Sequence, residues 1–254
     1  MINAYNKPIG VIDDEEALDI VGEAVLKLWD AVDDLSRLRP AHTPDYHVTI
    51  FGSARIEENT PRYEAVKQLA AQLAAMGCHI VTGGGPGLMQ AANEGASQGA
   101  PNKPEASVGI RIDLDFEQNV NDFVGRVFEH KTFFSRLHHF ILRSNAFIVT
   151  SGGIGTLLEL SMVWQLLQVR KLYDTPLILV GEMWHELVDW AQHYMVNNEA
   201  GLASPVDMQI PIVVDTIEDA IHLIREHHAR WKEVDRQLKP TRTSPPVKPI
   251  GRTI

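Results

Sequence analysis

Short apolar segments rich in β-branched residues alternate with amphipathic helical patterns over about residues 45–230. Such segments are typical of strands buried on both faces, as in a parallel sheet that helices cover on two sides. The sequence therefore predicts an α/β fold, a single domain with a doubly wound, Rossmann-like parallel sheet. The predicted strands are HVTIFGS, CHIVTGG, SVGIRID, AFIVT, TPLILVG and QIPIVVD.

The chain divides by composition into three segments. Residues 1–44 form an N-terminal extension with an amphipathic helix, residues 45–232 the nucleotide-binding or hydrolase domain, and residues 233–254 a basic, proline-rich tail that we expect to be disordered. The helix carries an apolar seam at spacings of three and four residues. The seam consists of Leu18, Val21, Val25, Leu28, Val32 and Leu35.

Composition excludes several classes of partner. A net charge of −10 does not suit a nucleic-acid surface, which needs a basic patch. No apolar run approaches the roughly 18–20 residues needed to cross a bilayer, and the acidic N-terminus lacks a signal-peptide pattern, so no membrane partner is expected. Cys78 is the single cysteine, and its apolar surroundings indicate a buried structural thiol in a reducing, cytoplasmic setting.

Glycines and small polar residues follow three of the predicted strands. In open parallel sheets, ligands bind beyond the carboxyl ends of the strands. Glycines that lead into a helix expose backbone N–H groups to an anion, and the helix dipole favours negative charge there. We therefore expect a phosphate-bearing ligand at this edge. The candidate binding residues are Gly52, Ser53, Gly83, Gly84, Gly85, Gly87, Gly152, Gly153, Gly155 and Thr156.

Glu159 lies one helical turn beyond the turn GGIGT, between apolar neighbours. A carboxylate next to an anion site can stabilise positive charge, which develops on the sugar when a glycosidic bond is cleaved. With the phosphate at the turn and Glu159 one turn away, a ribose 5-phosphate would fit between them. An alternative role for Glu159 is that of a simple partner of the helix dipole.

The segments GGGPGLMQAANEGA and SRLHHFILRSNAFIVTSGGIGTLLE resemble the Lonely Guy family of Rossmann-fold phosphoribohydrolases, many of whose members are labelled lysine decarboxylases. The resemblance covers about residues 45–230. It implies a hydrolase that cleaves nucleoside 5′-monophosphates of the AMP or cytokinin type to a purine-type base and ribose 5-phosphate, as a homodimer. It also implies catalytic roles for Arg136 and Glu159 and ligand contacts for Glu117 and Gln165.

Leu137 and Ser151 stand where the family has lysine and proline. Because the lysine would add a cation on the substrate side, its loss favours an alternative, a non-catalytic carrier of a nucleotide or of a phosphate-bearing cofactor such as the molybdenum cofactor. No cofactor and no metal are expected. The segment HELVD lacks the second histidine of a zinc-binding HExxH motif. A pyridoxal-phosphate decarboxylase would need a buried lysine, whereas Lys103, Lys131 and Lys171 lie in polar or helix-end contexts.

Overall fold

The described residues form a sheet of seven strands, and all of its neighbouring pairs are parallel. The computed structural model describes residues 19, 21–23, 25, 45–112, 120–197 and 199–238. The strands are β1 (Tyr46–Phe51), β2 (Cys78–Thr82), β3 (Ser107–Ile112), β4 (Arg126–His130), β5 (Ala146–Val149), β6 (Leu177–Val180) and β7 (Pro211–Val214). Their order across the sheet is β4-β3-β2-β1-β5-β6-β7, which confirms the predicted doubly wound α/β fold.

Helices connect the strands and cover the sheet. They are α1 (Pro61–Ala75), α2 (Leu88–Gly99), α3 (Phe133–Arg143), α4 (Ile154–Gln168), α5 (Glu182–Ala191) and α6 (Ile217–Leu238). Short 3₁₀ turns at Pro104–Ala106 and Pro205–Gln209 and a π-helical turn at Gln192–Val196 complete the described elements. Among the described helices, none is long and apolar enough to cross a membrane.

Two apolar layers lie on opposite faces of the sheet. Strand β5 shows why, because alternate residues of a strand point to opposite faces. Ala146 and Ile148 pack with α1, α2 and α6 in one layer, whereas Phe147 and Val149 pack with α3, α4 and α5 in the other. All four side chains are fully buried. The continuous apolar composition of the strands is thus a direct consequence of burial on both sides.

Helices α1 and α2 lie unusually close together. A Cβ atom on Gly95 would overlap the carbonyl oxygen of Lys67, and one on Gly99 would overlap the carbonyl oxygen of Ala71. These two glycines of α2 therefore allow its backbone to contact that of α1 directly. The contact fixes α2, and with it the turn between β2 and α2, against the sheet.

Cys78 is fully buried at the start of β2. Burial raises the pKa of its thiol to about 12, so the group stays protonated near neutral pH. The thiol lies 3.6 Å from Nδ1 of His228. It is a structural thiol, as the sequence predicts.

Two of the predicted segment boundaries can be compared with the structure. The chain divides into units of residues 1–43 and 44–254. Helix α6 continues to Leu238, beyond the predicted start of the tail at residue 233. Of the predicted N-terminal helix, the structure describes residues 19, 21–23 and 25, which are helical; residues 239–254 of the predicted tail lie outside the described residues.

Candidate functional site

The strand order reverses between β1 and β5, since the chain runs outward from β1 to β4 and then returns to the other side of β1. In doubly wound sheets the ligand binds at this reversal, beyond the carboxyl ends of the strands. Gly52 and Ser53 follow β1, and Ser151 follows β5. The Ser53 N–H donates to the Ser151 carbonyl oxygen over 3.0 Å, so the two strand ends are joined at the reversal.

The turn after β5 leads directly into α4. Gly153 is the N-terminal cap of this helix, with extended backbone angles and no side-chain capping bond. A Cβ on Gly152 would overlap the Thr156 side chain, which is buried, whereas Gly153 and Gly155 face open space. The first N–H groups of a helix have no partner within the helix. This turn therefore has the backbone donors and the positive dipole end on which the predicted phosphate site depends.

The turn after β2 lies on the other side of Ser53. Gly84 and Gly87 have φ angles of 75° and 68°, which favour glycine. The Ser53 carbonyl oxygen accepts from the Leu88 N–H over 2.9 Å. A Cβ on Gly87 would lie 2.5 Å from that same oxygen. A Cβ on Gly52 would likewise overlap the Thr150 hydroxyl. The close fit places the end of β1 between two glycine turns.

Arg136 and Glu159 meet between α3 and α4. The Arg136 Nη1 atom lies 3.4 Å from Oε1 of Glu159, and its Nε donates to the Ile110 carbonyl oxygen over 3.0 Å. Its guanidinium also lies over the Phe140 ring, at 5.3 Å from the ring centroid. A Cβ on Gly83 would be 2.5 Å from Nη2 of Arg136. The fold thus brings the two predicted catalytic residues together and holds Arg136 against the turn after β2.

Burial raises the pKa of the Glu159 carboxyl to about 7, although the Arg136 guanidinium acts in the opposite direction. The side chain exposes only 12% of its surface. A carboxyl group whose pKa lies near the working pH can give or take a proton readily. Strongly shifted pKa values also cluster at functional sites. The sequence indicated the position of Glu159, but the size of this shift depends on packing that only the fold supplies.

The raised pKa of Glu159 makes stability depend on pH. The unfolded chain releases this proton near pH 4.5 and the folded protein near pH 7, so the free energy of unfolding falls as pH rises between those values. The loss amounts to roughly 3 kcal/mol. In urea titrations from pH 4.5 to pH 8, we expect Glu159→Gln to lack this loss. Parallel curves for the two proteins would contradict the raised pKa.

Two cavities open at this edge of the sheet. A cleft of about 610 Å³ is lined by Ser53, Ile56, Arg62, Ser151, Gly152, Gly153, Gly181, Glu182, Met183 and Glu186. A cavity of about 40 Å³ is lined by Gly83, Gly84, Gly85, Pro86, Met89, Arg111, Val120 and Arg136. Arg62 and Arg111 are charged lining residues that sequence reasoning did not single out. Each is a lone arginine with no motif around it, so no sequence signal could have found it.

One further predicted contact, Gln165, lies elsewhere. Gln165 is nine residues beyond Thr156 on α4, about 13 Å along the helix axis. It lines a separate groove of about 400 Å³ between α4 and α5 and donates to Gln168. Within one chain, the fold does not bring Gln165 to the glycine turns. Glu117 lies outside the described residues.

Among the described residues, no group of three or more His, Cys, Asp or Glu side chains could hold a metal ion. Lys103, Lys131 and Lys171 are exposed rather than buried at the strand ends. The site therefore consists of two glycine turns, the Arg136–Glu159 pair and the two cavities beside them.

Comparison with known protein families shows to which family the chain belongs. The family model described as "Possible lysine decarboxylase" matches residues 89–224, which is more than half of the chain. The chain belongs to this family. The matched interval contains Arg136, the turn 152–156 and Glu159, and it confirms the resemblance to the Lonely Guy family.

A curated relative and two solved structures extend the comparison. The cytokinin riboside 5′-monophosphate phosphoribohydrolase of Mycobacterium tuberculosis is 36% identical over 81 residues, which cover 31% of this chain and 41% of the relative. The molybdenum cofactor (Moco) carrier protein of Chlamydomonas reinhardtii covers 73% of this chain and 99% of its own, with 20% identity and a TM-score of 0.51. The molybdenum cofactor binding protein of Rippkaea orientalis covers 73% and 98%, with 21% identity and a TM-score of 0.53. At these identities the two structures show a shared fold.

Proposed function

We propose that this protein is a nucleoside 5′-monophosphate phosphoribohydrolase, which releases a purine-type base and ribose 5-phosphate without a metal ion. The observation that carries the proposal is the Arg136–Glu159 pair. The Glu159 carboxyl, with a pKa of about 7, lies one helical turn beyond the turn 152–156, and its partner Arg136 lies against Gly83 of the turn after β2. Family membership and the activity for which the mycobacterial relative is named support the same reaction class. The family's name suggests a decarboxylase, which the exposed Lys103, Lys131 and Lys171 do not favour.

The geometry suggests a specific binding mode. The 5′-phosphate binds the N–H groups of the turn 152–156, where the α4 dipole stabilises its charge. The ribose then lies against Glu159, and the base extends toward Arg136 and the turn 83–87. Ser53, between the two turns, offers a hydroxyl to the sugar or the phosphate.

Glu159 has two tasks in the reaction. Its carboxylate stabilises the positive charge that develops on the sugar as the bond between C1′ and the base nitrogen breaks. It then accepts a proton from the water whose oxygen forms the new bond to C1′. The bonding electrons leave with the base, which takes up a proton. Arg136 fixes the carboxylate and provides hydrogen-bond donors to the departing base.

A screen of nucleoside monophosphates tests the proposal. The protein is incubated with AMP, GMP, IMP, CMP and UMP, and free base is measured by chromatography. We expect free base from at least one purine nucleotide, in equal amount to ribose 5-phosphate. No free base from any nucleotide, at enzyme concentrations comparable to substrate, would rule out the proposed reaction.

The carrier function is the second candidate, and Leu137 is the observation that favours it. The position next to Arg136 lacks the cation that the family resemblance implies, which would weaken catalysis more than binding. The two molybdenum-cofactor proteins share the fold. A nucleotide or phosphate-bearing cofactor that co-purifies intact, together with no turnover of any nucleotide, would favour the carrier over the hydrolase.

We also propose that the protein is a homodimer in a cytoplasmic setting. Ile154 and Leu158 lie one turn apart on α4, and the two residues are 83% and 49% exposed. Phe133 at the start of α3 is 51% exposed. Exposed apolar surface such as the Ile154–Leu158 pair commonly marks protein–protein contacts. Light scattering should give twice the chain mass, and a monomer mass would contradict the dimer.

A further inference from the structure

The small cavity beside the turn after β2 contains a cation that the proposed chemistry does not yet use. Arg111 is the fifth residue of β3 and lines this cavity together with Gly83–Pro86 and Arg136. The other lining side chains, Met89 and Val120, are apolar, and no acidic residue lines the described part of the wall. The wall is therefore apolar and glycine-rich, with two guanidinium groups.

The two arginines differ in how much of their hydrogen-bonding capacity is used. Arg136 donates to the Ile110 carbonyl oxygen, pairs with Glu159 and lies over Phe140. For Arg111, the described part of the chain provides no hydrogen-bond or ion-pair partner. Its guanidinium, which carries five N–H donors in a rigid planar fork, is the group available to a ligand.

The proposed binding mode determines which part of the ligand arrives there. With the phosphate at the turn 152–156 and the ribose against Glu159, the base extends past Arg136 toward Gly83. A volume of about 40 Å³ cannot hold a whole purine, but it can hold the polar atoms of a ring edge, because one water needs only about 10–15 Å³. The apolar side chains and the glycine backbone suit the flat faces of the ring.

We propose that Arg111 reads the edge of the base and selects 6-oxopurine nucleotides, those of guanine or hypoxanthine, over adenine nucleotides. Arginine pairs with two adjacent acceptors, the O6 and N7 atoms of guanine. Adenine presents an acceptor at N7 but a donor at N6, so one arm of the fork would face another donor. This inference rests on the proposed function and names the substrate class for the same site.

Binding measurements test this selectivity separately from turnover. Calorimetry on the Glu159→Gln protein, which keeps nucleotides intact, gives dissociation constants for GMP, IMP, AMP and ribose 5-phosphate. We expect GMP and IMP to bind between about 5-fold and 100-fold more tightly than AMP. Adding Arg111→Gln should remove or reverse this preference, because glutamine pairs with the N6 and N7 atoms of adenine. The affinity for ribose 5-phosphate should stay the same.

Two further variants serve as controls. Arg111→Lys keeps the charge and loses the planar fork, so it should lower the preference for GMP while leaving ribose 5-phosphate binding unchanged. Arg62→Gln removes an arginine from the larger cleft and should leave the base preference intact. If Arg111→Gln fails to fold, as judged by circular dichroism, the test rests on two other measurements. These are the effect of Arg111→Lys and the affinity of the Glu159→Gln protein for GMP relative to AMP.

Each remaining outcome has a definite meaning. Equal affinity for GMP and AMP in the Glu159→Gln protein would overturn the selectivity. An equal loss of GMP, AMP and ribose 5-phosphate binding on adding Arg111→Gln would also overturn it, because Arg111 would then bind the phosphate. Tight, selective GMP binding without hydrolysis by the wild-type protein would support the inference and contradict the proposed function. Hydrolysis of GMP and AMP with equal kcat/KM would support the function and contradict the inference.

Discussion

Replacing Glu159 by glutamine should lower kcat for nucleotide hydrolysis about 1,000-fold, from the combined loss of charge stabilisation and proton transfer. Glutamine has the same shape but cannot carry the negative charge that the sugar cation requires. It also cannot take a proton from water. The measurement is the initial rate of base release at saturating nucleotide, compared with wild type at pH 7.5.

Ligand binding by the Glu159→Gln variant distinguishes a loss of catalysis from a loss of folding. The Glu159→Gln protein should bind ribose 5-phosphate with an affinity close to that of wild type, since the phosphate contacts lie at the turn 152–156. The Thr156 side chain, which is buried below this turn, is untouched by the change. Full activity in Glu159→Gln would remove Glu159 from the mechanism, even if the reaction itself were observed.

Replacing Arg136 by methionine should lower kcat/KM about 100-fold and move its pH dependence upward. The Arg136 guanidinium opposes the effect of burial on the pKa of Glu159, so its loss should raise that pKa above about 7. If ionised Glu159 is the active form, activity in the variant then begins at a higher pH than in wild type. The measurement is kcat/KM from pH 5.5 to pH 9 for both proteins.

Arg136→Lys is the matched control for this change. Lysine keeps a positive charge near Glu159 but lacks the fork that also reaches the Ile110 carbonyl oxygen. It should therefore retain the wild-type pH dependence more closely than Arg136→Met, with a lower rate. An Arg136→Met protein that is slower but shows an unchanged pH profile would mean that Arg136 does not act through Glu159.

The buried strands were predictable because burial on both faces leaves a continuous apolar run. The edge strand β4 was not predicted. Its sequence RVFEH contains three charged or polar residues, and its side chains are exposed or half-buried. It forms because Val108 to Ile112 of β3 provide a free edge for parallel pairing, which its own sequence does not reveal. Charged residues on such an edge also discourage pairing with other chains.

The candidate site likewise contains parts that were predictable from the sequence and parts that were not. The glycine turns and Glu159 were predictable because they form local patterns at strand ends. The contact of Arg136 with Glu159 joins helices α3 and α4 and was not predicted, since the family resemblance implied only that both residues are catalytic. Arg111 belongs to a strand whose pattern looks apolar, and its role depends on the packing of β3 beside the turn after β2. The sequence does not give the distances between separate helices and strands.

Hydrolysis in water labelled with ¹⁸O tests the central claim most directly. If water attacks C1′ while Glu159 accepts its proton, mass spectrometry should find one ¹⁸O atom at C1 of the ribose 5-phosphate and none in the base. The measurement uses the purine nucleotide that the screen identifies and is read early, before exchange at C1 of the free sugar. Label in inorganic phosphate, with the nucleoside left intact, would show a phosphatase and contradict the assignment of this site to N-glycosidic cleavage.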